Sequence, residues 1–316
     1  MSTRDRLLAV LVAVIWGVNF LAIDLGLHQF PPLFFAGLRF LVLAVPALLF
    51  IRRPDVPIGW LIGYGIGFGV LEFGFLFVAM HVGMPTGLAS LVLQASAPFT
   101  VVLGAVFLRE RLRLRQVVGI VAAVTGMAVI VWHRAQVAAV VPVLLTLAGA
   151  LGWAIGNLCS RKAMSGAAPS VNAVHVTMWM SVVPVLPLFV LSAAVEGPAA
   201  GWHSVLTATD SPTGWWGLAG LVYIALVSTV VATGAWTGLM RRNPAGVVAP
   251  FSMLVPVVGM ALAAAVLGER PDAIEVLAGI AVIAGVLIGA RPARPARPGC
   301  PTEPVDRVTD RVTVTR

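Results

Sequence analysis

Apolar runs of about twenty residues, separated by short polar turns, recur along almost the whole chain. Uninterrupted windows fall at 7-26, 32-50, 58-80, 85-108, 113-132, 142-160, 170-194, 213-236, 244-267 and 273-290. A helix rising 1.5 Å per residue needs about 20 residues to cross a hydrocarbon core of about 30 Å. The pattern therefore predicts an all-α integral membrane protein with ten transmembrane helices. Arg4 and Arg6 precede the first window as they would in a signal peptide, but its length and the nine windows after it mark a retained helix.

Composition sharpens this picture. Of 316 residues, 59% are hydrophobic and 11% charged, and the mean hydropathy is +0.98. No stretch is left for a soluble catalytic domain, so most enzyme classes are excluded. A net charge of +8 would suit nucleic acid, but its placement has a different explanation. With the N-terminus inside, 18 of the 21 Lys and Arg residues fall in cytoplasmic segments, Arg134 and Arg270 lie outside, and Arg39 sits within a span. Basic residues are retained on the cytoplasmic side, so the expected location is the plasma (inner) membrane with both termini cytoplasmic. The expected partner at this point is the lipid bilayer, not nucleic acid. From Arg291 onward the sequence is rich in proline and charge, which predicts a disordered basic cytoplasmic tail over 291-316.

The chain also repeats itself. An ungapped shift of 159 residues aligns the fourth and fifth windows with the ninth and tenth and gives ten identities in 42 positions. These include the turn Pro85-x-Gly87 with Pro244-x-Gly246, and the pair Glu110-Arg111 with Glu269-Arg270. The halves, 1-132 and 133-290, would each hold five spans, and an odd number inserts them in opposite senses. The charges agree, because the loop around Glu110 carries four arginines and the loop around Glu269 only one. Inverted repeats with paired interrupted helices point to a secondary transporter whose site lies near the midplane. The interruptions are Gln94-Ala95-Ser96-Ala97-Pro98 in the fourth span and Pro250-Phe251-Ser252, then Pro256, in the ninth. Proline there removes a backbone donor and frees a carbonyl for a polar cavity.

Other side chains are costly to place in lipid. Arg39 and Glu72 fall at similar depths below the outer face, and each costs about 2.5–3.5 kcal/mol at a helix centre. They can pair, with Asp24 a second possible partner for Arg39; the pair either locks helices together or handles substrate or protons. Trp16 and Asn19 share one helical face of the first span, and Trp153 and Asn157 share one of the sixth. Each set can line a cavity for a small zwitterion or bond another helix. Glycines 63, 65, 67 and 69 form two Gly-xxx-Gly pairs on opposite faces, a packing device that fails the dinucleotide pattern. The histidines show no metal-ligand spacing, and neither a nucleophile elbow nor a Walker loop is present. No cofactor, metal or ATP-binding subunit is implied.

Taken together, VIWGVNFLAIDLGL, FPPLFFAGLRF, GMPTGLASLVLQASAPFT, the two Glu-Arg turns and NPAGVVAPFSMLVPVVGM resemble the EamA branch of the drug/metabolite transporter superfamily. The resemblance covers nearly all the chain to about residue 290. It implies two inverted five-helix repeats around a central cavity and export of amino-acid-like metabolites such as cysteine and O-acetylserine. Efflux of drugs or other metabolites on the same fold is the alternative. Arg109 stands where the family commonly has glycine before Glu-Arg, which makes the first turn less tight. The expected substrate contacts are Trp16, Asn19, Gln94, Ser96, Trp153, Asn157 and Ser252, with Arg39 and Glu72 as coupling or buried charges.

Overall fold

The computed structural model describes residues 1–109, 112, 114–135, 140–165, 168, 171–243 and 245–290. Every regular element among them is helical, as hydrocarbon demands of a chain that must satisfy its backbone internally. Eight segments are long and apolar enough to cross a membrane: Thr3–Leu27, Pro32–Phe50, Ile58–His81, Thr86–Phe107, Leu114–His133, Val140–Met164, Ala173–Val195 and Pro212–Met240. Two shorter apolar helices follow, Pro250–Val266 and Ala273–Gly289. They lie in the windows expected for the ninth and tenth spans and are numbered accordingly. The ninth is shortened because Ala245–Val248, the 3-10 stretch Ala249–Met253 and Leu254–Val266 succeed one another with a change of helical pitch at Pro250.

Local chemistry starts these helices where the hydropathy does. Ser2, Asn172 and Ser211 accept hydrogen bonds from the first-turn amides of Asp5, Val174 and Gly214. Proline occupies the first turn at Pro32 and Pro212, where its missing amide costs nothing. The seventh span is broken by a turn at Ser181–Pro184, and a short helix Ala200–Leu206 precedes the eighth. Neither feature is visible as an apolar window.

The strongest helix pairings are first with eighth and ninth, sixth with third and fourth, second with seventh, fifth with tenth, and fourth with ninth. Exchanging the two halves leaves this set unchanged. The correspondence extends to a feature absent from the hydropathy pattern. The third span becomes π-helical over Gly65–Glu72, and adding the repeat offset of 159 gives 224–231. The eighth span is π-helical over Tyr223–Val231.

Glycine permits the closest approaches. On one side of the third span, Gly63 and Gly67 lie against Cys159, Gly152 and Gly156 of the sixth. On the other side, Gly65 and Gly69 lie against Val183 and Pro184 of the seventh. The two faces expected from the glycine spacing are both used.

The turn at Arg109 corrects an expectation. Arg109 adopts φ 53°, and Gly268, its counterpart at the repeat offset, adopts φ 68°. The first turn is thus as tight as the second, and arginine occupies a left-handed conformation that costs a non-glycine residue about 1–2 kcal/mol. Arg109→Gly should therefore raise stability by about 1 kcal/mol, read as an upward shift in the thermal midpoint of purified protein. An unchanged or lower midpoint would mean that the arginine side chain offsets the strain. The Glu110–Arg111 pair itself lies outside the described residues.

Helix ends gather into two sets. In one, Glu196 accepts from the amides of Leu33 and Phe34 at 2.6 and 3.1 Å, and Glu269 accepts from Thr86 and Gly87 at 2.7 and 2.9 Å. A carboxylate from the second half thus caps the start of a helix of the first, where unpaired amides and the helix dipole favour negative charge. The second Glu-Arg turn is thus tied to a helix end through Glu269. Gln29 to the Ser204 carbonyl (2.7 Å) and His133 to Asp272 (3.1 Å) belong to the same set. The other set includes Asp5 with Arg242 and Asn243, and the Trp179 indole on the Ile51 carbonyl. Exposed Trp132, Trp202, Trp215 and Trp216 ring the first set, as aromatic side chains do at a membrane interface.

Candidate functional site

The helical breaks fall where proline and small polar residues were expected to put them. A 3-10 turn spans Leu93–Ala95 in the fourth helix and another spans Ala249–Met253 in the ninth. Gln94 and Ser96 are buried at the first break, and Ser252 is half-buried at the second. Ser96 is tied to the sixth span through a residue that sequence reasoning missed. The Thr100 hydroxyl donates to the Ser96 carbonyl at 2.7 Å and accepts from the Asn157 amide at 3.3 Å. Asn157, Thr100 and Ser96 thus form one chain, and Asn157 makes the interhelical bond that was one of its two readings. Thr100 follows Ser96 by four residues, one helical turn, a signal present in the sequence.

The two tryptophans sit at exchange-related contacts. The Trp16 indole donates to the Ser228 carbonyl of the eighth span at 3.1 Å, and its ring lies 5.2 Å from that of Trp236. Trp153 of the sixth span meets Phe68 of the third edge-on at 6.3 Å. One turn beyond Trp16, Asn19 is buried, and its Oδ1 has no hydrogen-bond partner among the described residues.

Arg39 and Glu72 are both buried, 4% and 2% exposed. The expected direct pair is not formed. No Arg39 nitrogen lies within 4.0 Å of a Glu72 carboxylate oxygen, although each is close enough to feel the other's charge. Instead, Arg39 Nη2 donates to Thr229 Oγ1 at 3.0 Å, and the guanidinium lies 3.8 Å from the centroid of the Phe73 ring. A cation over an aromatic face is attracted by its quadrupole, so Phe73 takes the position a carboxylate would have held. Thr229 in turn donates to the Ile224 carbonyl at 2.8 Å, five residues back, as the π-helical register allows. Asp24, the other proposed partner, lies 3.9 Å from His28 Nδ1 one turn on, toward the end of its own helix and away from Arg39. Sequence reasoning missed Thr229. Its signal was Ser228-Thr229, a hydroxyl pair inside an otherwise apolar run.

These contacts bring Trp16, Arg39, Glu72 and Phe73 to the two π-helical stretches. Wider helical turns at corresponding places disrupt the backbone ladder and often mark functional sites. An open cleft of about 920 Å³ lies at the first set of helix ends, bounded by Leu27–Leu33, Val78, His81, Val82, Val195, Glu196 and the short helix after them. None of the predicted site residues lines it.

Comparison with known proteins bears on what such an arrangement serves. The chain is 43% identical over 291 residues to a probable amino-acid metabolite efflux pump of Escherichia coli, covering 91% of this chain and 95% of that protein. It is 42% identical to one of the same description from Salmonella typhimurium, over 91% and 95% of the two chains. A probable terminal-alkyne amino-acid exporter of Streptantibioticus cattleyicolor is 29% identical over 88% of this chain and 91% of its own. One solved crystal structure superposes with a TM-score of 0.60 at 18% identity, covering 91% of this chain and 96% of that one, a likeness of fold. The model of the EamA-like transporter family matches twice, at residues 6–132 and 140–290. Two such repeats, built from apolar helices over nearly the whole chain, make this protein a multi-pass membrane transporter belonging to the EamA-like transporter family.

Proposed function

We propose that the protein is a secondary transporter of the inner (plasma) membrane that exports small amino-acid metabolites such as cysteine and O-acetylserine. Its two five-helix repeats are inverted relative to each other, both termini are cytoplasmic, and alternating access arises as one repeat rocks against the other. The likeness to probable amino-acid metabolite efflux pumps over nine-tenths of the chain carries the reading. The exchange-symmetric helix pairing, the two sets of helix ends and the basic bias support the inverted arrangement. Polar groups of both halves near mid-membrane supply neutral donors and acceptors for a small solute: Gln94 and Ser96 from one, Asn157 and Ser252 from the other.

Two experiments test this reading. Cells overproducing the protein should release more cysteine or O-acetylserine than control cells, and Gln94→Leu should lower that release at least about tenfold at equal membrane abundance. The change keeps volume while removing hydrogen bonds worth about 1–2 kcal/mol in a buried site. Overproducers that resist lipophilic cations but release no amino acid would favour drug efflux. For topology, Leu112→Cys and Arg270→Cys are each placed in a Cys159→Ala, Cys300→Ala background. An impermeant thiol reagent on whole cells should label only the second, and equal labelling would end the inverted arrangement.

A further inference from the structure

Four buried side-chain atoms lack a hydrogen-bond partner among the described residues: Asn19 Oδ1, Arg39 Nε, Arg39 Nη1 and Glu72 Oε2. A native fold leaves only a few such groups per hundred residues, and the cost rises steeply for charged groups in a low dielectric. The three residues come from the first, second and third spans. At 1.5 Å per residue they lie about 12, 10 and 14 Å from the ends of those helices that belong to one set, at Leu27, Pro32 and His81. They therefore occupy a common layer. Phe73, next to Glu72, stacks on Arg39; Trp16, one turn from Asn19, and Arg39 bond to the neighbouring residues Ser228 and Thr229.

The orphan atoms are complementary in kind. Nε and Nη1 lie on the two edges that each shares with Nη2, which gives one hydrogen to Thr229 and keeps a second, and either edge is a fork that binds a carboxylate through both oxygens. Glu72 Oε2 and Asn19 Oδ1 are acceptors, one of them carrying the site's negative charge. Arg39 and Glu72 do not neutralise each other directly, because Phe73 and Thr229 hold the guanidinium apart from the carboxylate. A solute with a carboxylate at one end and an ammonium on the adjacent carbon gives the guanidinium an acceptor, gives Glu72 Oε2 and Asn19 Oδ1 a donor, and leaves the site electrically neutral.

We infer that Arg39, Glu72 and Asn19 bind the main-chain groups of an α-amino acid, the carboxylate on Arg39 and the ammonium on Glu72 and Asn19. This rests on the proposed function and adds to it. Main-chain recognition of this kind is indifferent to the side chain, so it selects amino acids as a class and leaves the choice among them to other contacts. The cleft at the helix ends lies above this layer, bounded by the ends of the same three spans, and offers the released solute a way out.

Competition in proteoliposomes tests the assignment without any variant. Uptake of labelled O-acetylserine should be inhibited by unlabelled O-acetylserine, and about tenfold or more weakly by its methyl ester, which lacks the carboxylate, and by its N-acetyl derivative, which lacks the ammonium. Selectivity should then relax in matched ways. Arg39→Gln should lose discrimination against the ester while keeping it against the N-acetyl compound, and Glu72→Gln should do the reverse. If the wild type moves amino acids but both blocked compounds compete as well as the parent, or if folded variants keep the wild-type ranking, this assignment is overturned and the export reading stands. If the wild type moves no amino acid at all, the export reading fails and the assignment with it.

Discussion

Arg39→Ala should lower the stability of the folded protein by about 3–5 kcal/mol, because it leaves the Glu72 carboxylate buried with no counter-charge. Glu72→Ala should cost a comparable amount by stranding the guanidinium, which retains Thr229 and Phe73 but loses the opposite charge it senses. Removing both charges deletes the desolvation cost along with the attraction. The double variant should therefore be more stable than the sum of the singles predicts, by about 1 kcal/mol or more. Thermal unfolding in detergent and the fraction of monodisperse protein provide the measurement. Additive losses would show that the two charges are energetically independent, and that Phe73 and Thr229 suffice to hold Arg39.

Gly152→Ala should destabilise by about 1–3 kcal/mol, the range for forcing extra volume into a packed interior. In an unencumbered helix the same exchange is favourable by about 0.5–1 kcal/mol. Here an added Cβ would lie 2.6 Å from Leu71 Cβ, 2.8 Å from the Glu72 amide nitrogen and 2.9 Å from the Gly67 carbonyl oxygen. Two of these are backbone atoms of the π-helical stretch, which cannot turn aside as a side chain can. Gly234→Ala is the internal comparison, since a Cβ there meets nothing within 4 Å, and it should be neutral or stabilising. Opposite signs in the two midpoints would establish the close approach of the third and sixth spans. A stabilising Gly152→Ala would remove it.

The contrast between Gly152 and Arg39 shows what kind of information the residues carried. The close packing of the third span was legible because glycines two apart lie on opposite helical faces, and only close neighbours make use of a missing side chain. The break in the fourth span was legible because proline and small polar residues cannot be carried through an apolar run without consequence. Partners were a different matter. Arg39 and Glu72 have nearly equal depth and opposite charge, yet depth fixes only one coordinate. The rotation of each helix about its axis set Phe73 and Thr229 against the guanidinium. Asp24 failed as a partner for a similar reason: it lies nearer the end of its helix, beside His28. The tie from Asn157 through Thr100 to Ser96 joins residues 57 apart in sequence, and its members are individually unremarkable there.

The sequence by itself determined the helical class, the positions of most spans, the internal repeat, the interrupted fourth and ninth helices and the burial of two opposite charges. It could do so because lipid imposes a length, a polarity and an internal hydrogen-bonding rule that act residue by residue along the chain. Only the tertiary structure decided the π-helical stretches, the turn within the seventh span, the carboxylates of Glu196 and Glu269 on helix starts of the other half, and the separation of Arg39 from Glu72. Each of these depends on which faces meet between distant helices, a choice made by packing and by the pairing of buried polar atoms after the helices have formed.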